Sequence, residues 1–436
     1  MFRRFSWLSV PVVRLALASS SILALGIPWG RGGDLNDGFD ALETDYRKSK
    51  ATIQKLFQGK EVFDSKNPQH EKALDVAAQN ATYYYSHPRS EKTGEIERLI
   101  TSFESEMNSL DKAKATSPAL PAMYSRRVIF RGQEVLHSPG KDIKPIARVN
   151  VTRVMARLAQ RGPTESSEDV VARLRGPAAT ELADAMIKAL DVKNDGVKYH
   201  ALHGLQGLLE LPPQTPPLLS PEVEEQCVLR LIAFIQQPPT YHASASSEEI
   251  EGFKVLRREA IKALAQYPAP SIKDKARPAL VLLKVVARDG LRPEPRMDER
   301  VEAAIGVARI KPDGDPSYQR DYAAQQLGLF LVDFAYRYNN RDRDELKPWA
   351  VQAARLSDAL EVMKATSKSP YVAKVVDDGI KLVLRRIEAK NDVNANEVTD
   401  YNSLLSKPPA LGQLFSGVDG TAVPPPNRKE DEPAKQ

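Results

Sequence analysis

The chain of 436 residues is long enough for two or three ordinary domains or for one extended repeat array. Its 42% hydrophobic and 27% charged residues exclude a wholly disordered chain. Its formal charge of +5 includes three arginines among the first 14 residues, so the remainder carries +2, too little to predict a nucleic-acid partner. Cys227 is the single cysteine, which excludes an intrachain disulfide.

Residues 1–26 have the order of a secretory signal peptide. Arg3 and Arg4 precede an apolar stretch over 15–25, and Gly26 offers a small residue for cleavage. The stretch is shorter than the roughly 20 residues that span a bilayer, so we expect a cleaved signal, with an uncleaved anchor as the alternative. The sequence therefore predicts a bacterial protein exported to the periplasm or cell envelope, which contacts the membrane only if the signal stays uncleaved.

An N-terminal helical unit is predicted over 34–112. Apolar residues recur at helical spacing in three segments, 34–59, 68–85 and 94–110. The second segment ends in Tyr83, Tyr84 and Tyr85. Exposed aromatic rings give a glycan a large contact area, so this run is a candidate carbohydrate or peptidoglycan site; the alternative is that the rings pack between helices.

Four segments within 122–390 repeat one pattern, in which a cation stands three residues before an apolar i, i+3, i+4, i+7 set. The cations are Arg148, Lys198, Arg257 and Arg300. The first apolar positions of the four sets are 50, 59 and 43 residues apart, which leaves room for a second helix in each repeat. The pattern predicts stacked helical hairpins, each of which buries its apolar stripe only against a neighbour.

The core of the pattern, R-x-x-A-x-x-A-L at 257–264 and its variant at 300–307, resembles the second helix of HEAT repeats. The resemblance covers about 143–310 and reaches 390 by extrapolation. It implies an all-α fold, a HEAT-like superhelix of helical hairpins that follows the N-terminal helical unit. Two of the repeat spacings exceed the family's usual 40 to 47 residues, and the excess falls in loops at 211–217 and 238–247.

The four registered cations allow two interpretations. They either pair with acids of the adjacent repeat, as charges at helix starts commonly do, or serve a ligand, in which case Arg148, Arg257 and Arg300 form a ladder along one surface that suits an acidic partner. Arg148, Lys198, Arg257 and Arg300 are therefore candidate binding residues, together with the three tyrosines.

No catalytic, cofactor or metal motif stands out along the chain. His200 and His203 lie three residues apart, yet no carboxylate or cysteine near them completes a metal set. The calcium-like starts at 191–196 and 392–396 lack the required acid at the twelfth position. Cys227 lies on the apolar side of its predicted helix, so we expect it in the core.

From residue 391 the apolar periodicity thins, and 424–436 is rich in proline and charge. We therefore expect 391–436 to be a largely disordered tail. Taken together, the sequence favours a non-catalytic solenoid of the cell envelope that binds or scaffolds a protein partner. Two alternatives remain open: the glycan binder that uses the tyrosines, and an enzyme or enzyme accessory domain, since some HEAT-like proteins related to phycobilin lyases act on a bound chromophore.

Overall fold

The computed structural model describes most of the chain after residue 34, with short gaps. The described residues are 35–86, 90, 92, 94–138, 143–212, 214, 217–237, 246–272, 275–341, 346–407, 409 and 412–427, of which 35–38 and 346–347 are described by backbone alone. The predicted signal peptide at 1–26, most of the 238–247 loop and the last nine residues of the predicted tail lie outside these ranges.

The described chain is all-α, as the sequence predicts. No β-strand occurs in these ranges, where strand-like pairing is limited to isolated bridges. A π-helical segment, Ile380–Leu384, joins two of the α-helices. The α-helices are α1 Leu35–Phe57, α2 Pro68–Tyr83, α3 Glu95–Ala113, α4 Leu120–His137, α5 Pro145–Arg157, α6 Ser167–Arg173, α7 Ala178–Ala189, α8 Asp195–Glu210, α9 Pro221–Gln236, α10 Ser247–Leu264, α11 Pro278–Ala287, α12 Met297–Arg309, α13 Arg320–Asn339, α14 Leu346–Ala365, α15 Pro370–Gly379, α16 Arg385–Glu388 and α17 Ala395–Leu405.

Capping side chains fix where several helices begin. Ser220 and Ser369 each precede a proline in the first turn, and their hydroxyls accept hydrogen bonds from the amides of Val223 and Val372. Ser246 forms a capping box with Glu249 at the start of α10. These caps explain why α9 begins at Pro221 and α15 at Pro370.

Two rows of helices run through the region after α4. In the first row α5, α8, α10, α12 and α14 each contact the next, and in the second row α7, α9, α11, α13 and α15 do the same. Hairpin partners connect the rows, because α7 packs on α8, α9 on α10 and α11 on α12. The four registered segments fall on α5, α8, α10 and α12, so the sequence pattern marks equivalent helices of the first row.

Small residues at the registered positions allow close approach between helices. The first apolar positions, Val151, Ala201, Ala260 and Ala303, are all buried. A Cβ added at Gly306 would lie 2.9 Å from Leu282 Cδ1 and 3.1 Å from Ala265 Cα, tighter than side chains tolerate. The register therefore describes packing of α12 against both α11 and the chain after α10.

The helices of the N-terminal unit pack on one another and on the first repeat. α1 contacts α2 and α3, and α4 contacts α2 and α3 before it and α5 and α7 after it. α4 thus connects the N-terminal helices to both rows. Within the described residues, no helix combines the length and apolar character needed to cross a bilayer.

The prediction of a disordered tail from residue 391 is wrong for 391–407 and 412–427. Tyr401 and Leu405 of α17 are buried against α13, and the following segment buries Leu414 and Phe415. Side chains of the repeats bond its backbone: the Tyr322 hydroxyl accepts from Val423 N at 2.8 Å. Buried residues of this segment do not recur at helical spacing, so the apolar pattern of the sequence does not predict that the segment packs.

Candidate functional site

A groove of about 800 Å³ lies at the C-terminal ends of the first-row helices. Its lining comes from the last turns of α8, α10 and α12, the chain after α5, and parts of α6 and α14. Its volume is in the range of about 300 to 1,000 Å³ that is usual for ligand sites. Most of the side chains that line it are polar, including Gln160, Gln206, Lys262 and Gln266.

Close packing of the helix ends forms the floor of the groove. Gly207 lies in the last turns of α8, and a Cβ there would lie 2.5 Å from the backbone oxygen of Ala159, just after α5. Since that oxygen belongs to backbone, a larger residue would push α8 and the end of α5 apart. Glycine at this position therefore keeps the floor of the groove continuous between the two helices.

Glu259 of α10 is the most strongly coordinated acid of the groove and is only 2% exposed. Arg258 donates to Oε1 from Nε at 3.0 Å and Nη2 at 2.9 Å, and Lys262 Nζ lies 3.1 and 3.2 Å from the two oxygens. His203 Nε2 of α8 lies 3.3 Å from Oε2. Burial alone would raise the pKa of Glu259, but the adjacent His203 ring and the charge and hydrogen bonds of Lys262 outweigh it and lower the pKa to about 2.

Glu302 of α12 is the second buried acid of the groove. Arg355 of α14 holds it with two parallel bonds, Nη1 to Oε1 at 2.6 Å and Nη2 to Oε2 at 2.7 Å. The hydrogen bonding to Glu302 raises the pKa of Arg355. The pair joins two neighbouring first-row helices and gives each oxygen of the carboxylate one hydrogen bond.

Two arginines of the groove differ from the cations above. Arg161, after α5, and Arg309, at the end of α12, line the groove and are exposed. Neither has an ion pair or a side-chain hydrogen bond with any residue of the described ranges. Their guanidinium groups are therefore available to an incoming anion.

Two of the four registered cations are buried ion-pair partners. Arg257 is 0% exposed, and its Nε donates to Glu299 Oε1 at 2.6 Å between α10 and α12. Arg300 is 1% exposed; it pairs with Asp333 of α13 and donates from Nε to Val286 O at 2.8 Å. Burial lowers the pKa of Arg300 to about 10, against the charge of Asp333, which raises it. Pairing between helices is confirmed for both residues, and a surface ladder that includes them is wrong.

The other two registered cations lie outside the groove. Arg148 Nη2 donates to Ser138 O at 3.1 Å, and Lys198 Nζ pairs with Asp195 of its own helix at 3.2 Å. The structure therefore does not bring the four cations together on one surface. The registered cation therefore makes a different contact in each of the four helices.

The tyrosine run is packed inside the N-terminal helices. Tyr83 and Tyr85 are each 3% exposed, and Tyr84 is half-buried against the core. The Tyr83 hydroxyl bonds Glu134, and burial raises the pKa of both Tyr83 and Tyr85. A glycan site built on exposed rings is contradicted, and packing between helices is the correct interpretation.

The histidine pair and the cysteine have separate surroundings. His203 faces Glu259 in the groove, whereas burial, assisted by Arg153 and His203, lowers the pKa of His200 to about 4. Cys227 is buried as predicted, and burial raises the pKa of its thiol to about 12. In the part of the chain that the structure describes, no group of three or more His, Cys, Asp or Glu side chains could hold a metal ion.

Sequence reasoning missed the residues of the groove, although one signal pointed to them. Glu259 and Glu302 each stand two residues after a registered arginine, so the repeat extends to an acid that the apolar pattern does not include. Arg161 comes shortly after the last apolar residue of the first registered set, and Arg309 comes just before the last apolar residue of the fourth set. Both arginines stand at helix ends. Only the stacking of the helices reveals that these ends meet.

No protein-family model, curated protein or solved structure matches this chain significantly.

Proposed function

We propose that the chain is a HEAT-like α-solenoid that binds or scaffolds a protein partner in its groove without catalysing a reaction. Two observations support the solenoid. Within each row every helix contacts the next, and the repeated pattern falls on equivalent positions of the first row. Such an array gains its stability from nearest-neighbour packing and offers an extended surface for binding.

The groove along the ends of α5, α8, α10 and α12 is the observation that carries the proposal. Its buried charges are already paired, because Glu259 is bonded by Arg258 and Lys262, and Glu302 by Arg355. A surface whose side chains are fixed in advance loses little conformational entropy when a partner binds. The same pairing favours binding over catalysis, since each oxygen of the two carboxylates already has a cation bound to it.

Export to the cell envelope is part of the proposal and rests on the order of residues 1–26 alone. N-terminal sequencing of the protein purified from the cell envelope tests it. We expect a mature chain that begins shortly after Gly26. Recovery of the full chain from the cytoplasm would contradict export.

Site-specific photo-crosslinking tests the groove. Benzoylphenylalanine replaces Gln206, which lines the groove, or Gln226, an exposed glutamine of α9 in the second row. The two variants are expressed in cells of the source organism and irradiated. We expect a discrete crosslinked product at Gln206 that is absent at Gln226; equal crosslinking at both positions, or none at Gln206, would contradict the proposal.

A further inference from the structure

The cations of the groove fall into two classes. Lys262 and Arg355 are bound to buried carboxylates, which neutralise their charge. Arg161 and Arg309 are exposed and have no acidic partner within the described residues. Unpaired guanidinium groups on a concave surface bind carboxylates in a bidentate manner.

We propose that the groove binds an extended acidic segment of a partner protein, with Arg161 and Arg309 each receiving one carboxylate. This inference rests on the proposed function, because it names the class of partner for the same groove. Arg161 follows α5 and Arg309 ends α12, and in the first row α8 and α10 lie between these two helices.

The packing of the first row sets the spacing between the two carboxylates. α5 contacts α8, α8 contacts α10, and α10 contacts α12, so three helix-to-helix intervals separate the arginines. At about 8 to 10 Å for each interval, the separation is roughly 24 to 30 Å. An extended chain advances about 3.3 Å per residue, so the two acids of the ligand should be about seven to nine residues apart.

The part of the groove lined by α8 and α10, the helices between α5 and α12 in the row, favours an uncharged stretch between the two acids. Gln206 of α8 and Gln266 after α10 line the groove with amide groups, and Gln266 uses its Nε2 on Lys262 O, which leaves its oxygen as an acceptor. Amides suit the peptide backbone, which offers both donors and acceptors. Glu210 is exposed in the same wall and would repel an acid placed there.

The same charges disfavour nucleic acid. A phosphate backbone carries a negative charge at every nucleotide and is bound by many cations at once. Here, in the described part of the chain, only two arginines that line the groove lack an acidic partner, and Glu210 ends α8, which lies between α5 and α12 in the row, so continuous phosphates would meet repulsion there. A peptide with separated acids avoids that repulsion.

Fluorescence anisotropy with designed peptides tests the spacing. One fluorescein-labelled peptide of about twelve residues carries two Glu pairs eight positions apart, with Gln, Ser and Ala between them. A second peptide has the same composition with all four Glu together. We expect the mature chain to bind the spaced peptide at least tenfold more tightly than the clustered one.

Charge reversal tests whether Arg161 and Arg309 bind the acidic residues of the peptide. Arg161→Glu combined with Arg309→Glu should weaken binding of the spaced peptide at least tenfold. The matched control is Arg175→Glu with Arg385→Glu, two exposed arginines that do not line the groove and receive the same change in charge. The control should bind as the unaltered chain does, and circular dichroism melting of both variants verifies that they are folded.

Three results would overturn the inference. They are no binding of the spaced peptide, equal affinity for the spaced and clustered peptides, and equal weakening by the groove and control variants. Tighter binding of a labelled single-stranded oligonucleotide than of the spaced peptide would overturn it as well. If the Gln206 crosslink persists while the peptide fails to compete with it, the proposed function stands and the acidic ligand is rejected.

Discussion

Two glutamates in different regions of the molecule have opposite kinds of neighbours. Glu106, among the N-terminal helices, accepts hydrogen bonds from the hydroxyls of Tyr46 at 3.2 Å and Tyr124 at 3.0 Å, and burial raises its pKa to about 7. Glu259, in the groove, is bonded by cations, and its pKa falls to about 2 despite burial. Neutral hydroxyls do not offset the desolvation of a carboxylate, whereas adjacent cations do.

The difference separates a region that holds a proton from one that holds fixed charge. Burial raises the pKa of Glu106 inside a tyrosine cluster, whereas cations lower the pKa of Glu259 in the first row. Acids of the first row hold cations of the same or the next helix, as Glu299 does with Arg257 and Glu302 with Arg355. The contrast predicts that each region responds differently to mutation and to pH.

Removing the acidic partner of a buried cation in the first row should lower the free energy of unfolding more than the other changes below. Glu299→Ala leaves Arg257 buried without its carboxylate, and we expect the free energy of unfolding to fall by about 3 to 5 kcal/mol. Chemical denaturation of the purified chain measures it. The exposed pair provides the control, since Asp195→Ala removes the partner of Lys198 and should cost less than about 1 kcal/mol.

A double variant separates loss of the charge pair from loss of packing. Arg257→Met with Glu299→Leu removes both charges and keeps apolar volume, so most of the lost stability should return. If the double variant is as unstable as Glu299→Ala, the unpaired charge is not the cause of the destabilisation.

The tyrosine-bonded acid should destabilise the fold as pH rises. Between pH 4.5 and about 7 the folded chain keeps a proton on Glu106 that the unfolded chain has released, so stability falls with increasing pH. Glu106→Gln removes this dependence and should stabilise the chain by about 3 kcal/mol at pH 8. Denaturation at pH 4 and pH 8 checks it; an equal effect of the substitution at both values would show that Glu106 titrates normally.

The cation-bonded acid should show the reverse dependence at lower pH. Below pH 4.5 the unfolded chain binds a proton that folded Glu259 refuses until about pH 2, so its contribution to stability is lost as pH falls through that window. Glu259→Gln should cost about 2 kcal/mol at pH 7, because its partners remain partly solvated, and much less near pH 2. A loss independent of pH would instead indicate a packing defect.

The smallest predicted effect on stability comes from removing a hydrogen bond to Glu106. Tyr46→Phe removes a hydrogen bond that lowers the pKa of Glu106, so the pKa should rise further. We expect a loss of about 1 kcal/mol at pH 8, where the carboxylate needs the hydroxyl most. Carbon-13 NMR titration of the glutamate carboxyls measures the pKa directly, and an unchanged value would contradict the role of Tyr46.

The sequence predicted the helices better than the site, for physical reasons. Apolar periodicity identifies a buried stripe within one helix, so α5, α8, α10 and α12 were recognised from their own residues. It does not choose between pairing and exposure for Arg257 and Arg300, because Glu299 and Asp333 come from other helices. The packed segment after α17 has no period at all, which explains the wrong prediction of disorder.

The groove lay furthest from prediction because it forms between helix ends that are distant in sequence. Arg161 and Arg309 are nearly 150 residues apart and meet one groove only through the stacking of the first row. Mass spectrometry of the partner peptide crosslinked at Gln206 tests the central claim most directly. We predict a peptide with two acidic residues about seven to nine positions apart and an uncharged stretch between them. A crosslinked peptide without acidic residues would contradict the acidic ligand, and no product above the level at Gln226 would contradict the groove itself.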